Sequence, residues 1–201
     1  MFLLFGSSGA GKTVAIDALR ARAPSRLAIH DFDEVGVPPD ADTEWRQRMD
    51  EVWVRRALEY EAGGIDLLLA GQTPIGELLA TPSAPSLEAV SACLLDCDDE
   101  TRLARLRLRP VERRTGSPDE WPDLLDWAAW MREHARNPRW MQHVIAGEGP
   151  LPEMCWERRG DWRAGDPQWR VHVIDTSKLS VEEVADELAE WIGNERAGVH
   201  S

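Results

Sequence analysis

The sequence predicts an α/β fold: a five-stranded parallel sheet with helices on both faces and a mainly helical, lid-like insertion. Three observations predict it. Five short apolar runs read as buried strands. Between most of them lie stretches in which apolar residues recur at helical spacing. Between the fourth and fifth runs the alternation is interrupted by a long segment rich in arginine and tryptophan. Strands alternating with helices imply parallel pairing with both sheet faces covered, joined by right-handed crossovers.

The elements follow in order. MFLLF is a short buried strand and KTVAIDALRAR a helix after it. RLAIHDFD is a second apolar run that ends in acids. From Thr43 to Ala62 apolar residues recur at Trp45, Met49, Val52, Trp53, Ala57 and Leu58, a helical spacing stopped by Gly63 and Gly64. IDLLLAG is the third strand, with a short helix near IGELLA and a loop at TPSAPS. AVSACLLD is the fourth strand, DDETRLARLRLR a helix, and WRVHVID the fifth strand. The last helix carries Val181, Val184, Ala185, Leu188, Trp191 and Ile192, with Gly193 as its stop. Ser180 and Glu183 form its capping box.

The interruption, about 110–168, is the lid-like insertion within one domain over 1–201. SPDE repeats the helix-start pattern, with Ser117 as cap, Pro118 at the first position and Glu120 closing the box. Trp121, Leu124, Leu125 and Ala128 form a packed helix stripe. Trp127 and Trp130 lie off it, and either wall a pocket or pack the insertion on the body. GEGPLPEMCWERRGDWRAGDPQ has no period and many breakers, so it reads as a loop.

The opening strand runs into GSSGAGKT: Gly6, four residues, Gly11, Lys12, Thr13. That spacing, between a strand and a helix, is the P-loop pattern and sets the expectation of a P-loop NTPase fold. Gly6, Ser7, Ser8, Gly9, Ala10 and Gly11 let backbone N–H groups turn inward around phosphates. The following helix aims its positive end at the same charge. Lys12 reaches the β- and γ-phosphates, and Thr13 offers a hydroxyl to Mg²⁺. The ligands implied are ATP and Mg²⁺.

Asp31 and Asp33 close the second strand. In an extended chain, residues two apart point to the same side, so both carboxylates stand at the carboxyl end of the sheet, where ligands bind in such folds. One acid can serve the metal and the other can accept a substrate proton. A solvated acidic turn that caps a helix is the other reading. The third strand ends in Ala70, Gly71 and Gln72, with no carboxylate, and Asp66 sits at its wrong end. Metal duty therefore falls to Thr13 and Asp31, while Gln72 is a substrate contact or a turn residue.

Net charge is −13, from 36 acidic and 23 basic residues, which disfavours nucleic acid and anionic membranes as partners. No apolar run reaches spanning length and MFLLF is too short for a signal peptide, so a cytoplasmic protein is expected. Three cysteines, Cys93, Cys97 and Cys155, argue against a disulfide framework. Cys93 and Cys97 on one strand would lie roughly 13 Å apart, too far for a bridge or a shared zinc ion. The histidines show no metal spacing.

With GSSGAGKT, DFD, LLLAGQ, LLDCDDETRLARLRLR and HVIDTSKLSVEEVADELAEWI on the page, the chain resembles the small P-loop kinases of the shikimate, gluconate and nucleoside-monophosphate kinase group. The resemblance covers about 1–35, 64–116 and 169–193. It implies that Asp31 is the metal-side acid and Asp33 the substrate-side acid. It implies Arg105 as a base-side residue and Arg109, Arg113 and Arg114 as phosphate-side candidates, although salt bridges on a solvated helix explain any single one equally well. Thr176 and Ser177 resemble the loop that meets the adenine, as a helix cap would also do. The long helix at 43–62 and the tryptophan-rich insertion exceed what a minimal shikimate kinase needs.

The reading that follows is an ATP-dependent phosphotransferase acting on a hydroxyl of a small molecule. Lys12, Asp33, Arg109 and Arg113 would carry the chemistry. A nucleoside or nucleotide kinase, and a regulatory ATPase module that binds a protein partner, are the alternatives.

Overall fold

The structure, a computed structural model, describes residues 1–109, 120–147 and 150–198. Five strands, β1 (Phe2–Phe5), β2 (Leu27–Asp31), β3 (Asp66–Gly71), β4 (Ser91–Asp96) and β5 (Val171–Asp175), form one sheet. All pairs are parallel, in the order β2-β3-β1-β4-β5. The register aligns Asp31 with Ala70, Phe5 with both Gly71 and Leu94, and Asp96 with Asp175. The carboxyl ends of all five strands therefore open on one edge, where the loops that follow them gather.

The helices are α1 (Lys12–Arg20), α2 (Thr43–Ala62), α3 (Ile75–Leu79), α4 (Asp99–Leu108), α5 (Trp121–Arg136), α6 (His143–Ala146) and α7 (Val181–Arg196). β1 shows how the two layers are built. Side chains alternate along a strand, so Phe2 and Leu4 join Ile16, Leu19, Leu188 and Ile192 of α1 and α7. Leu3 and Phe5 face the opposite layer, with Trp53, Ile75, Met131 and Ile145. Leu3, Leu4 and Phe5 are fully buried, each contributing about 1.5–3 kcal/mol.

Three expectations change. β2 ends at Asp31, and the chain turns into a 3-10 helix over Phe32–Val35, capped by the Asp31 side chain with Glu34 closing the box. The DFD acids are thus not two successive positions on one extended face. α7 does not stop at Gly193 but runs to Arg196. A glycine inside a helix costs about 1 kcal/mol. Here buried Trp191 and Ile192 hold the turn before it, and Arg196 bonds Asp66, Ser25 O and Arg26 O after it.

The third change concerns the insertion. The described residues of the lid-like insertion pack on the body, and its expected loop is not structureless. Trp130, Met131, Ala135, Ile145, Leu151, Met154 and Trp162 are all buried in the core under α2 and α3. The stretch expected as a loop holds 3-10 turns at Trp156–Gly160 and Pro167–Trp169, pinned by Trp162 and Trp169. Trp127 stacks on Trp130 and Trp130 on His134, with centroids 4.9 and 4.4 Å apart. Trp130 packs in the core, and the pair also lines an open cavity with Trp140 and Val144. The expected cap at Ser117 and Pro118 lies outside the described residues; Glu120 precedes the helix, which starts at Trp121. Cys93 and Cys97 are buried free thiols. Among the described residues no helix is long and apolar enough to cross a membrane.

Candidate active site

β1 delivers the chain into the loop at Gly6–Thr13 through a tight passage. A Cβ on Gly6 would lie 2.2 Å from the Leu95 carbonyl oxygen on the neighbouring strand, so only glycine fits there. α1 then begins at Lys12 with its N-terminus facing the loop. Lys12 folds back over its own loop: Nζ donates to Gly6 O at 2.7 Å and to Ser7 O at 3.3 Å. Burial pushes its ammonium down to about 8, against the raising charge of Asp31.

The strand-to-turn junction places the two acids differently from the pleated expectation, yet in the same cavity. Asp31 Oδ1 accepts from Asp33 N at 3.1 Å, as an N-cap, while Oδ2 lies 3.4 Å from the Thr13 hydroxyl, which donates to it. Asp31 is thus an acidic cap that spends one oxygen on the turn and keeps the other beside the Thr13 hydroxyl. The Asp33 carboxyl is raised above the ordinary carboxylate range, first by burial, then by the charge of Asp31, while Lys12 lowers it. Thr13 and Asp31 together offer adjacent hard oxygens, a donor set suited to magnesium that also binds phosphate oxygens. Among the described residues no group of three or more His, Cys, Asp or Glu could hold a metal.

These side chains line a polar cavity of about 460 Å³, with Ser8, Lys12, Thr13, Asp31, Asp33, Gln72 and Arg109 on its wall. A second cavity, about 360 Å³ and apolar, lies on the other side of the loop. Gly9, Ala10, Gly11, Val14, Arg105, Thr176 and Val184 line it. Arg109 borders both cavities.

Arg105 reaches the apolar cavity, but its guanidinium also grips the loop, with Nη1 donating to Thr176 Oγ1 at 2.7 Å and to Gly9 O at 3.3 Å. Thr176 is buried, its hydroxyl 3.0 Å from Ala10 O. Ser177 borders neither cavity: its hydroxyl donates to Asp175 at 2.5 Å and accepts from Asp98 N at 2.8 Å, tying together the ends of β4 and β5. Arg113 and Arg114 lie outside the described residues.

Sequence reasoning missed a charged group behind the polar cavity. Arg46 Nε donates to both oxygens of the fully buried Glu77, at 3.0 and 3.1 Å, and Arg46 lines the cavity. Fully buried Asp50 accepts from the Thr73 hydroxyl at 2.7 Å, and its Oδ2 has no partner among the described residues. Burial, and then the charge of Glu77, holds the Asp50 carboxyl well above the usual range. The available signal was spacing: Arg46, Asp50, Trp53 and Ala57 repeat at i, i+4, i+7 and i+11, placing two charges on the core-facing stripe of α2.

No protein-family model and no curated protein matches the sequence. Among solved structures, the chain is similar to a sugar kinase from a Janibacter species, at TM-score 0.56 and 14% identity, covering 100% of this chain and 98% of that one. It is similar to the shikimate kinase of Acinetobacter baumannii, solved with shikimate, at TM-score 0.52, 14% identity and coverage of 97% and 93%. The Aquifex aeolicus shikimate kinase matches at TM-score 0.51, 14% identity and 98% coverage of both chains. At this identity the likeness shows the fold alone, a parallel five-stranded sheet covered by helices on both faces.

Proposed function

We propose that the chain transfers the γ-phosphoryl group of ATP to a hydroxyl of a small-molecule acceptor. The observation that carries this reading is the pair of cavities that meet across one phosphate-binding loop. The apolar one suits a nucleoside base, and the polar one holds Lys12, Thr13, Asp31, Asp33 and Arg109. A module that only hydrolyses or senses ATP has no need of a second polar chamber of similar size.

Lys12 and Arg109 supply positive charge on the acceptor side of the loop, where a transferring phosphoryl group gathers negative charge. Thr13 and Asp31 would hold magnesium, which when bound neutralises phosphate charge. Asp33, with its raised affinity for a proton, accepts the hydroxyl proton as the acceptor oxygen attacks. Arg46, held in place by Glu77, puts a guanidinium on the far wall, a site for an anionic substituent of the acceptor.

The test is transfer against hydrolysis. Purified protein with γ-labelled ATP and a panel of hydroxylated small acids and sugars should yield labelled acceptor, and Lys12→Ala should abolish most of it with an unchanged melting temperature. Release of phosphate to water alone, unaffected by any acceptor, would shift the reading to an ATPase module.

A further inference from the structure

For the amides of a phosphate-binding loop to face an anion, its carbonyls must be held elsewhere. In this chain one of them is held from deep inside the molecule. Arg102 of α4 is fully buried, and its Nη1 donates to Ser8 O at 2.8 Å. Its Nη2 donates to Asp96 Oδ1 at 2.5 Å and to Cys97 O at 3.3 Å. The stem of the same side chain packs under Gly9, where φ is +84° and a Cβ would lie 2.8 Å from Arg102 Cγ.

Asp96, at the carboxyl end of β4, gives its other oxygen to Arg132 of α5, whose Nε donates at 2.5 Å. Arg132 Nη2 continues to Asp99 at 2.9 Å and to Cys97 O at 3.3 Å. A second tie joins the loop to α5 directly, because the buried Ser7 hydroxyl donates to Leu124 O of α5 at 3.2 Å. Asp96 sits between two guanidinium groups, so its charge is matched there and does not replace the acid that β3 lacks.

We infer that Arg132, Asp96 and Arg102 form a positioning relay through which α5 sets the affinity of the loop for nucleotide phosphates. The inference rests on the phosphate-binding reading given above. None of the three residues needs to touch the nucleotide. Arg102 turns the Ser8 carbonyl away from the anion, Asp96 aims Arg102, and Arg132 aims Asp96. Arg–carboxylate pairs of this kind fix orientation as well as charge. Removing the outer member leaves Asp96 with one partner instead of two and lets the inner guanidinium shift.

The experiment compares two ligands that share a base and differ in phosphate. ATP with Mg²⁺ and plain adenosine are titrated calorimetrically against wild type, Arg132→Met, Asp96→Asn, the double variant and Arg132→Lys. Melting temperatures are measured alongside. Arg132 is the first target because it is partly exposed, whereas loss of Arg102 would strip several buried acceptors at once.

Arg132→Met should weaken ATP about tenfold, as the loss of one charged hydrogen-bonded partner would, and leave adenosine affinity unchanged. The double variant should be no worse than the worse single variant, and Arg132→Lys should recover part of the loss. Unchanged ATP affinity in Arg132→Met and Asp96→Asn, whatever happens to their melting temperatures, overturns the relay. Equal losses for ATP and adenosine also overturn it and leave only general structural support. If wild type itself fails to bind ATP, the phosphate-binding reading falls, and the relay with it.

Discussion

Asp31 and Asp33 stand two residues apart and do different physical work. Asp31 spends one oxygen on the backbone of the turn it caps and keeps the other beside the Thr13 hydroxyl. Asp33 lies in that turn, and burial and its neighbour's charge raise its proton affinity. Asparagine caps helices about as well as aspartate, so Asp31→Asn should keep the turn and the melting temperature while raising the Mg²⁺ concentration needed for activity. Asp33→Asn should lower turnover by about 10²–10⁴-fold with nucleotide affinity close to normal, the usual cost of a lost general base. Both variants are assayed across Mg²⁺ concentrations once an acceptor is found. Turnover of Asp33→Asn at the wild-type rate would remove it as the base. Glu34 is a poor substitute, being engaged by Arg20, His30 and the Asp31 amide. The two acids were legible in the sequence, but the reason given for their juxtaposition was not the one the chain uses. Strand pleating predicted a shared face, whereas the i to i+2 contact comes from a capping turn that competes with the strand. Ser177 shows a related ambiguity, since a hydroxyl beside a loop looks the same in sequence whether it faces a ligand or, as here through bonds to Asp175 and Asp98, ties two strand ends together.

At the scale of elements, strands and helices of the frame were legible because their apolar periods are strong and their caps are explicit. The insertion was harder. A segment rich in arginine and tryptophan reads as a lid-like insertion, and the stripe of Trp121, Leu124, Leu125 and Ala128 leaves out Trp130, which is buried in the core with Trp169 of another element. Between them sits His134 of α5, fully buried, stacked on Trp130 and edge-on to Trp169 at 5.0 Å. Neither ring nitrogen has a hydrogen-bond partner among the described residues, and burial pushes its pKa down to about 3. The sign of the resulting pH dependence is fixed. The folded value lies below the ordinary value of 6.5, so the unfolded chain binds the proton more readily. His134 therefore adds no pH-dependent penalty well above pH 6.5 and weakens the fold as pH drops below it. The loss should steepen as pH falls through 6.5 and approach roughly 1.4 kcal/mol per pH unit below it. Urea denaturation between pH 7.5 and 5.5 should show this decline in wild type and its removal in His134→Leu, whatever that variant costs at neutral pH. An identical slope in both proteins would mean that the insertion core admits the charged ring.

For the whole molecule, the alignment of all five strand ends decides where ligands can act together. The loop after β1, the turn after β2, the segment after β3 and the helix after β4 all reach one edge, so two cavities share the P-loop and Arg109. The frame was visible in the alternation of elements, and the resemblance named Arg105 and Thr176 on the base side, but the apolar wall that Val14, Leu179 and Val184 close around them was not, because it comes from residues far apart in sequence whose meeting depends on the strand order. Such a design ties stability to occupancy. A ligand that binds only the folded chain adds about 2.7 kcal/mol to unfolding at a hundred times its dissociation constant. ATP or ADP with Mg²⁺ should therefore raise the melting temperature clearly, and adenosine at the same multiple of its own dissociation constant should raise it to the same extent. The sharper expectation concerns the acceptor. Because Arg109 borders both cavities, an acceptor should bind more tightly once nucleotide is present, and the coupling must be reciprocal. Screening hydroxylated anions by thermal shift should then find compounds whose effect with ADP and Mg²⁺ exceeds the sum of the separate shifts. Arg109→Met should reduce that excess while leaving the shift by adenosine alone near normal. If acceptor and nucleotide shifts simply add in wild type, the two cavities work independently and Arg109 does not couple them.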